Sequence, residues 1–182
     1  MVAMGNQRDQ VVRGLCCGAT VAAGVVSGGQ VFALLGVVPA ARRLPLRDSA
    51  RLHQLLLTRQ VDRYLRPLSA AAAVLAAGAA LLGRGQQRTL AALGVAGVAG
   101  VLAVSVRRQF PINAAIDRWD LSERVPTEYA GLRACWERGH ALRTACGLAA
   151  FAALAAATGS RSPGARAAGE PTTRATQMLK EP

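Results

Sequence analysis

Trp136, His140 and Arg143 stand at i, i+4 and i+7, so an indole, an imidazole and a guanidinium share one helical face, which Arg133 and Glu137 extend. Such side chains transfer protons, hold negative charge and stack on rings. Each also has a structural reading. His140 can hydrogen-bond a neighbouring helix at headgroup level, and Arg143 can snorkel or pair with an Asp. Trp136, Trp119 and Tyr129 can form an interfacial aromatic belt. Asn113, Asp117 and Asp120 repeat the same spacing, a second polar stripe if Pro111 sits in a first helical turn. Asn113 and Asp117 can equally cap a helix and satisfy Arg143. His53, among Arg residues that read as solvated, looks incidental.

The element carrying the first stripe must reach into it for length. A spanning helix needs roughly 20 apolar residues, and Ala145 to Thr158 supplies only fourteen. Beyond Thr158 come Gly159, Ser160, Arg161 and Pro163, all poor continuations, so the helix grows backward through Arg143, His140 and Trp136. Ionisable groups at that depth usually face a bundle interior and count as a functional-site hypothesis. Three further apolar runs precede it. Gly14 to Ala41 carries no charge and only Gln30 as a strongly polar side chain; Leu68 to Leu82 follows Pro67; Thr89 to Val106 ends at Arg107 and Arg108. Alternating spans bring Pro39, His53, Asp62, Asn113, Asp117 and the start of the fourth span to one end.

The expected fold is all-α, an integral membrane four-helix bundle over residues 1–158, with spans at about 14–40, 64–83, 89–107 and 138–158. The basic stretch Arg42 to Arg66 reads as an amphipathic interfacial helix between spans one and two, Arg84 to Arg88 as a tight turn, and 159–182 as a disordered tail. The two long connections carry more Arg than the ends and the turn, which places them in the cytoplasm and both termini outside the cell membrane.

The 182 residues are 52% hydrophobic but only 4% aromatic, with a net charge of +12, so the apolar mass is Ala, Leu, Val and Gly. Small residues such as Gly24, Gly28, Gly29 and Gly36 let helix backbones approach closely in lipid. The basic residues adjoin apolar spans rather than exposed aromatics, which suits anionic lipid headgroups and argues against nucleic acid. Cys16, Cys17, Cys135 and Cys146 follow no zinc or redox spacing and read as small buried hydrophobes. With two His and no paired ligand spacing, a metal site is not expected. No GxSxG elbow and no Gly-rich phosphate loop is present.

Pro39 after the first span, Phe110-Pro111-Ile112-Asn113 after the third, and Trp136 to Arg143 opening the fourth resemble the anthrone-oxygenase-like family of small membrane proteins, over roughly residues 14 to 158. The resemblance implies a cofactor-independent oxygenase that converts anthrones to anthraquinones, with a hydrophobic aromatic small molecule and the lipid bilayer as its partners. It implies catalytic roles for His140, Arg143 and Asn113: His140 as base, Arg143 and Asn113 as oxyanion stabilisers. Trp136 would stack on the substrate ring and Asp117 would line its site. The Arg-rich first connection and the Ala-dominated spans depart from the family pattern. The competing reading is a non-enzymatic bundle that serves as a structural or partner-binding subunit. A ligand site would require an apolar cavity between the helices beside His140.

Overall fold

Long runs of Ala, Leu and Val with few competing polar groups satisfy their backbone internally as helices. The computed structural model describes residues 2–122 and 125–160, with side chains except those of residues 2–6 and 58–62. Among them four helices are long and apolar enough, by length and composition, to cross a membrane: span 1 (Gln7–Arg43), span 2 (Arg63–Leu82), span 3 (Gly85–Asp117) and span 4 (Tyr129–Gly159). Span 1 packs on span 2, span 2 on span 3, span 3 on span 4, and span 4 closes the ring on span 1.

The helix ends lie beyond the apolar runs. Span 4 begins at Tyr129 and stops at Gly159, with Ser160 extended, so the polar stripe lies inside the helix, as the shortness of its apolar run requires. Span 3 begins at Gly85 and continues to Asp117. The reversal before it is tighter than Arg84 to Arg88: Gly83 donates its N–H to the Ala79 carbonyl at 2.8 Å, and Gly85 adopts φ 53°, a left-handed conformation that glycine adopts at little cost. Pro39 does not end span 1. The helix passes through a wide, π-helical turn at Ala33–Val37 and then Val38–Arg43. A second wide turn, Ser105–Gln109, precedes Pro111 in span 3. Proline lacks an N–H and its ring presses on the carbonyl four residues back. Those carbonyls, of Leu35 and Arg107, fall inside the two wide turns, so the expansion relieves the clash and lets the helix continue.

Asp120 does not extend the Asn113–Asp117 stripe, because the helix ends at Asp117. Its exposed carboxylate instead accepts the Ser122 N–H at 2.8 Å in the following turn, a bond that pulls its pKa below the ordinary carboxylate value.

The core is built from small residues. Ala19, Ala22, Ala23, Ala72, Ala76 and Ala150 pack mid-bundle with Val98 and Leu154. Larger apolar side chains face outward, among them Val21, Phe32, Leu35, Val74 and Leu81, an arrangement suited to a lipid surround. The closest helix approach is between spans 3 and 4, where a Cβ on Gly97 would lie 2.7 Å from Ala150 Cβ and one on Gly94 2.6 Å from Leu154. In span 1, Gly24 abuts the Phe151 ring, whereas Gly28 has open space beside it. Cys16 is fully buried, but Cys17 is exposed.

Between spans 1 and 2 the chain forms Leu46–Leu52 and a wide helical stretch His53–Gln60. Its face of Ser49, Ala50, His53 and Leu57 is buried, and we refer to 46–60 as the cap. Arg47 bonds the carbonyls of Leu121, at 2.7 Å, and Ser122. Gln54 Nε2 donates to the carbonyls of Ile116 (2.8 Å) and Trp119 (3.0 Å). The cap therefore closes the end of the bundle against the connection between spans 3 and 4.

Candidate functional site

Beneath the cap, side chains from all three neighbouring spans meet. The span 4 periodicity turns Trp136, His140 and Arg143 inward, and all three are buried. The Trp136 and His140 rings stack, with centroids 4.8 Å apart and planes 8° from parallel, while His53 meets Trp136 edge-on at 5.1 Å. His140 Nε2 donates to the Gln30 carbonyl of span 1 at 3.0 Å. Arg143 Nη2 lies 3.2 Å from His140 Nδ1. A guanidinium only donates, so Nδ1 is the acceptor and His140 is the neutral Nε2–H tautomer. Arg143 Nη1 continues the chain to Ser105 Oγ at 3.4 Å.

A second chain centres on Asn113 in the first turns after Pro111. Its Oδ1 accepts from Trp136 Nε1 at 2.9 Å and from His53 Nε2 at 3.1 Å. Indole is a donor only, which fixes the amide orientation. Gln109 Nε2 donates to the Trp136 carbonyl at 3.0 Å; a Cβ on Gly139 would lie 2.8 Å from that nitrogen, so a side chain at 139 would displace the Gln109 amide.

Of the residues singled out from sequence, Asn113, Trp136, His140 and Arg143 come together. Asp117 lies a turn further on, half-buried at the end of span 3, and does not line the clefts described below. His53 is not incidental: it is 3% exposed, because the cap's inward face carries it under the bundle rather than among solvated Arg. Burial pushes its pKa below the ordinary histidine value, opposed by the bond to Asn113. The aromatic-belt reading fails for two of its three residues. Tyr129 and Trp136 are fully buried, and the Tyr129 hydroxyl is 2.8 Å from Ser49 Oγ. Glu137, on the outer side of the stripe, pairs with Arg42 and lies 3.8 Å from Arg133. The side chain of Asp62 and the tail from residue 161 lie outside the described residues.

Sequence reasoning missed Gln30, Ser105 and Gln109 as members of this cluster. Gln30 carried a signal, as the one strongly polar side chain in a long uncharged run; Ser105 and Gln109 became neighbours of the stripe through the wide turn.

Two adjoining clefts meet at Gln30, Leu65 and Arg143. The inner one touches Asn113, Trp136 and His140 and is little more than a water wide, at about 10 Å³. The outer one, between spans 2 and 3, measures about 180 Å³ and is lined by Gln30, Leu65, Arg66, Ser69, Val101, Leu102, Ser105, Phe110 and Arg143. An apolar cavity of roughly 150 Å³ holds a benzene-sized ring. The cleft beside His140 is thus too small for a ring, and the ring-sized one opens on Arg143 instead. No group of three or more His, Cys, Asp or Glu side chains is placed to hold a metal among the described residues.

Fold and site together describe an all-helical protein with four helices long and apolar enough to cross a membrane, and a buried imidazole–guanidinium pair beside an apolar slot. The anthrone oxygenase family profile matches residues 55–153, over half of the chain, and the chain belongs to that family. No curated protein and no solved structure matches it.

Proposed function

We propose that this protein is a multi-pass oxygenase of the cell membrane that acts without a cofactor on anthrone-like aromatic compounds taken from the bilayer. The observation that carries the reading is the ring-sized slot of about 180 Å³ ending on Arg143, which is itself hydrogen-bonded to His140.

The chemistry needs a base and a cation in a dry site. When the ketone oxygen of the substrate takes the Arg143 guanidinium, His140 Nδ1 loses that donor and its lone pair becomes available. His140 then accepts a proton from the activated ring CH2. The ketone becomes an enolate held by Arg143, while Asn113, which touches only the inner cleft, keeps Trp136 and His53 in place. The ring carbon passes its electron pair to dioxygen to form a C–O bond, the resulting peroxide anion takes the proton back from His140, and the hydroperoxide loses water to leave a second carbonyl and neutral His140. Trp136 supports this by holding His140 in plane, its face being occupied by the imidazole rather than presented to a ligand.

A second reading, a non-enzymatic bundle serving a structural or partner-binding role, draws on one observation: both His140 ring nitrogens are engaged within the protein, by the Gln30 carbonyl and by Arg143. Oxygen consumption by detergent-purified protein, given an anthrone and related hydroxylated aromatics, separates the two. The oxygenase reading expects turnover that falls by about 10²–10⁴-fold in His140→Ala, the range for loss of a general base, in a variant that still folds. Absence of turnover on every such compound, with the bundle equally stable in the variant, leaves the structural reading.

A further inference from the structure

We infer that the middle of the bundle binds a single water molecule against Gly147, held by Ser27 and Gln30 of span 1 and by Ser69 of span 2. The site stands whether or not the slot turns over an aromatic substrate.

A hydroxyl inside a helix ordinarily finds its acceptor in the carbonyl four residues back. Thr20, Ser69, Ser105, Thr144 and Thr158 all donate in this way, at 2.7–2.9 Å. Ser27 does not. Its Oγ is buried and has no hydrogen-bond partner among the described residues, and the same is true of Gln30 Oε1 one turn further on. Both residues are 2% exposed. The two oxygens also face one place: a Cβ on Gly147 would lie 3.0 Å from Ser27 Oγ and 2.8 Å from Gln30 Oε1. Glycine at 147 therefore leaves room in front of both.

Burying such groups unpaired in an apolar interior is costly, so the pair calls for a partner that can both donate and accept. A chamber of about 10 Å³ adjoins them, lined by Ser27, Ser69 and Gly147 among the small apolar side chains of Ala23, Val98 and Ala150. That is space for one water and far too little for a ring or a lipid headgroup. A buried water makes two to four hydrogen bonds. Here it accepts the Ser27 O–H and donates to Gln30 Oε1. Its second proton goes to Ser69 Oγ, whose own proton is committed to the Leu65 carbonyl. Spans 1 and 2 are thereby joined by polar contacts where the surrounding core is alanine.

The test pairs a high-resolution structure of the full chain in lipid with unfolding of variants in detergent. The structure should show one water within hydrogen-bond distance of Ser27 Oγ and Gln30 Oε1. Ser27→Ala and Gln30→Met should each shift the unfolding equilibrium toward the unfolded state by about tenfold, since each leaves a buried group short of a partner. The double variant should lose no more than either single one, because the water leaves with its last strong contact. A chamber without water, or Ser27→Ala at least as stable as wild type, overturns the inference, because removing a hydroxyl that has no partner costs nothing. Entry of xenon into the chamber under pressure would overturn it too, as that marks a dry apolar void.

Discussion

Asn113 is the residue on which the site's geometry depends most directly, because one carbonyl oxygen receives donors from two different elements. Trp136 reaches it from span 4 and His53 from the cap, so the cap's position is tied to the stacked ring pair through one atom. The protonation of His53 must then matter to folding. Its folded-state pKa lies below the ordinary value of 6.5 because burial penalises the imidazolium. Below pH 6.5 the unfolded chain binds a proton that the folded chain refuses, so the stabilisation from neutral His53 is present above that pH and is lost as the pH falls toward the folded-state value. Thermal unfolding in detergent should show wild type losing stability relative to His53→Gln between about pH 7 and 5, by at most about 1.4 kcal/mol per pH unit. Parallel pH profiles for the two proteins would mean that His53 is not held neutral.

At the scale of elements, the bundle is set by how closely the spans approach, and the limiting contact is between spans 3 and 4. A side chain at Gly97 would meet Ala150 backbone atoms at 3.0 Å as well as its Cβ, so Gly97→Val must push two helices apart rather than displace a flexible side chain. Overpacking of this kind costs about 1–3 kcal/mol. Gly28→Val, facing open space in span 1, should cost little, and equal losses in a detergent-unfolding assay would count against close packing as the reason. The spans themselves were legible, since apolar runs and the shortage of residues in the last one dictate their number and the backward growth of span 4. That Gly94 and Gly97 would make the tight contacts was not, because sequence shows small residues on every span but not which faces meet. The Trp136–His140–Arg143 stripe was legible from its spacing alone. Gln109, Ser105 and the cap's inward His53 were not, because their inclusion depends on the wide turn before Pro111 and on tertiary docking of the cap.

For the whole molecule, these features produce two ends of different character. Toward the Gly83–Gly85 reversal the spans are joined by the apolar cluster of Val12, Cys16, Ala79, Ala91 and Ala157, with Arg8 bonding the Leu82 carbonyl at the surface. At the opposite end the cluster of Val38, Ala50, Ile112, Tyr129 and Trp136 is threaded by hydrogen bonds, and the cap that covers it is tied to the span 3–span 4 connection through Arg47 and Gln54. Elements held by a few polar contacts open locally with less free energy than packed spans. The site end should therefore open without unfolding the bundle, which would give a flat molecule from the bilayer time-dependent access to Arg143. Removing the ties in Arg47→Ala/Gln54→Ala should raise hydrogen exchange about tenfold or more in residues 46–60 and 116–122, since each lost bond contributes on the order of 1–3 kcal/mol. Exchange in spans 2 and 3 around Ala79 and Ala91 should stay as in wild type. A uniform rise across all four spans would show that the cap and bundle unfold as one unit, and that the site has no opening motion of its own.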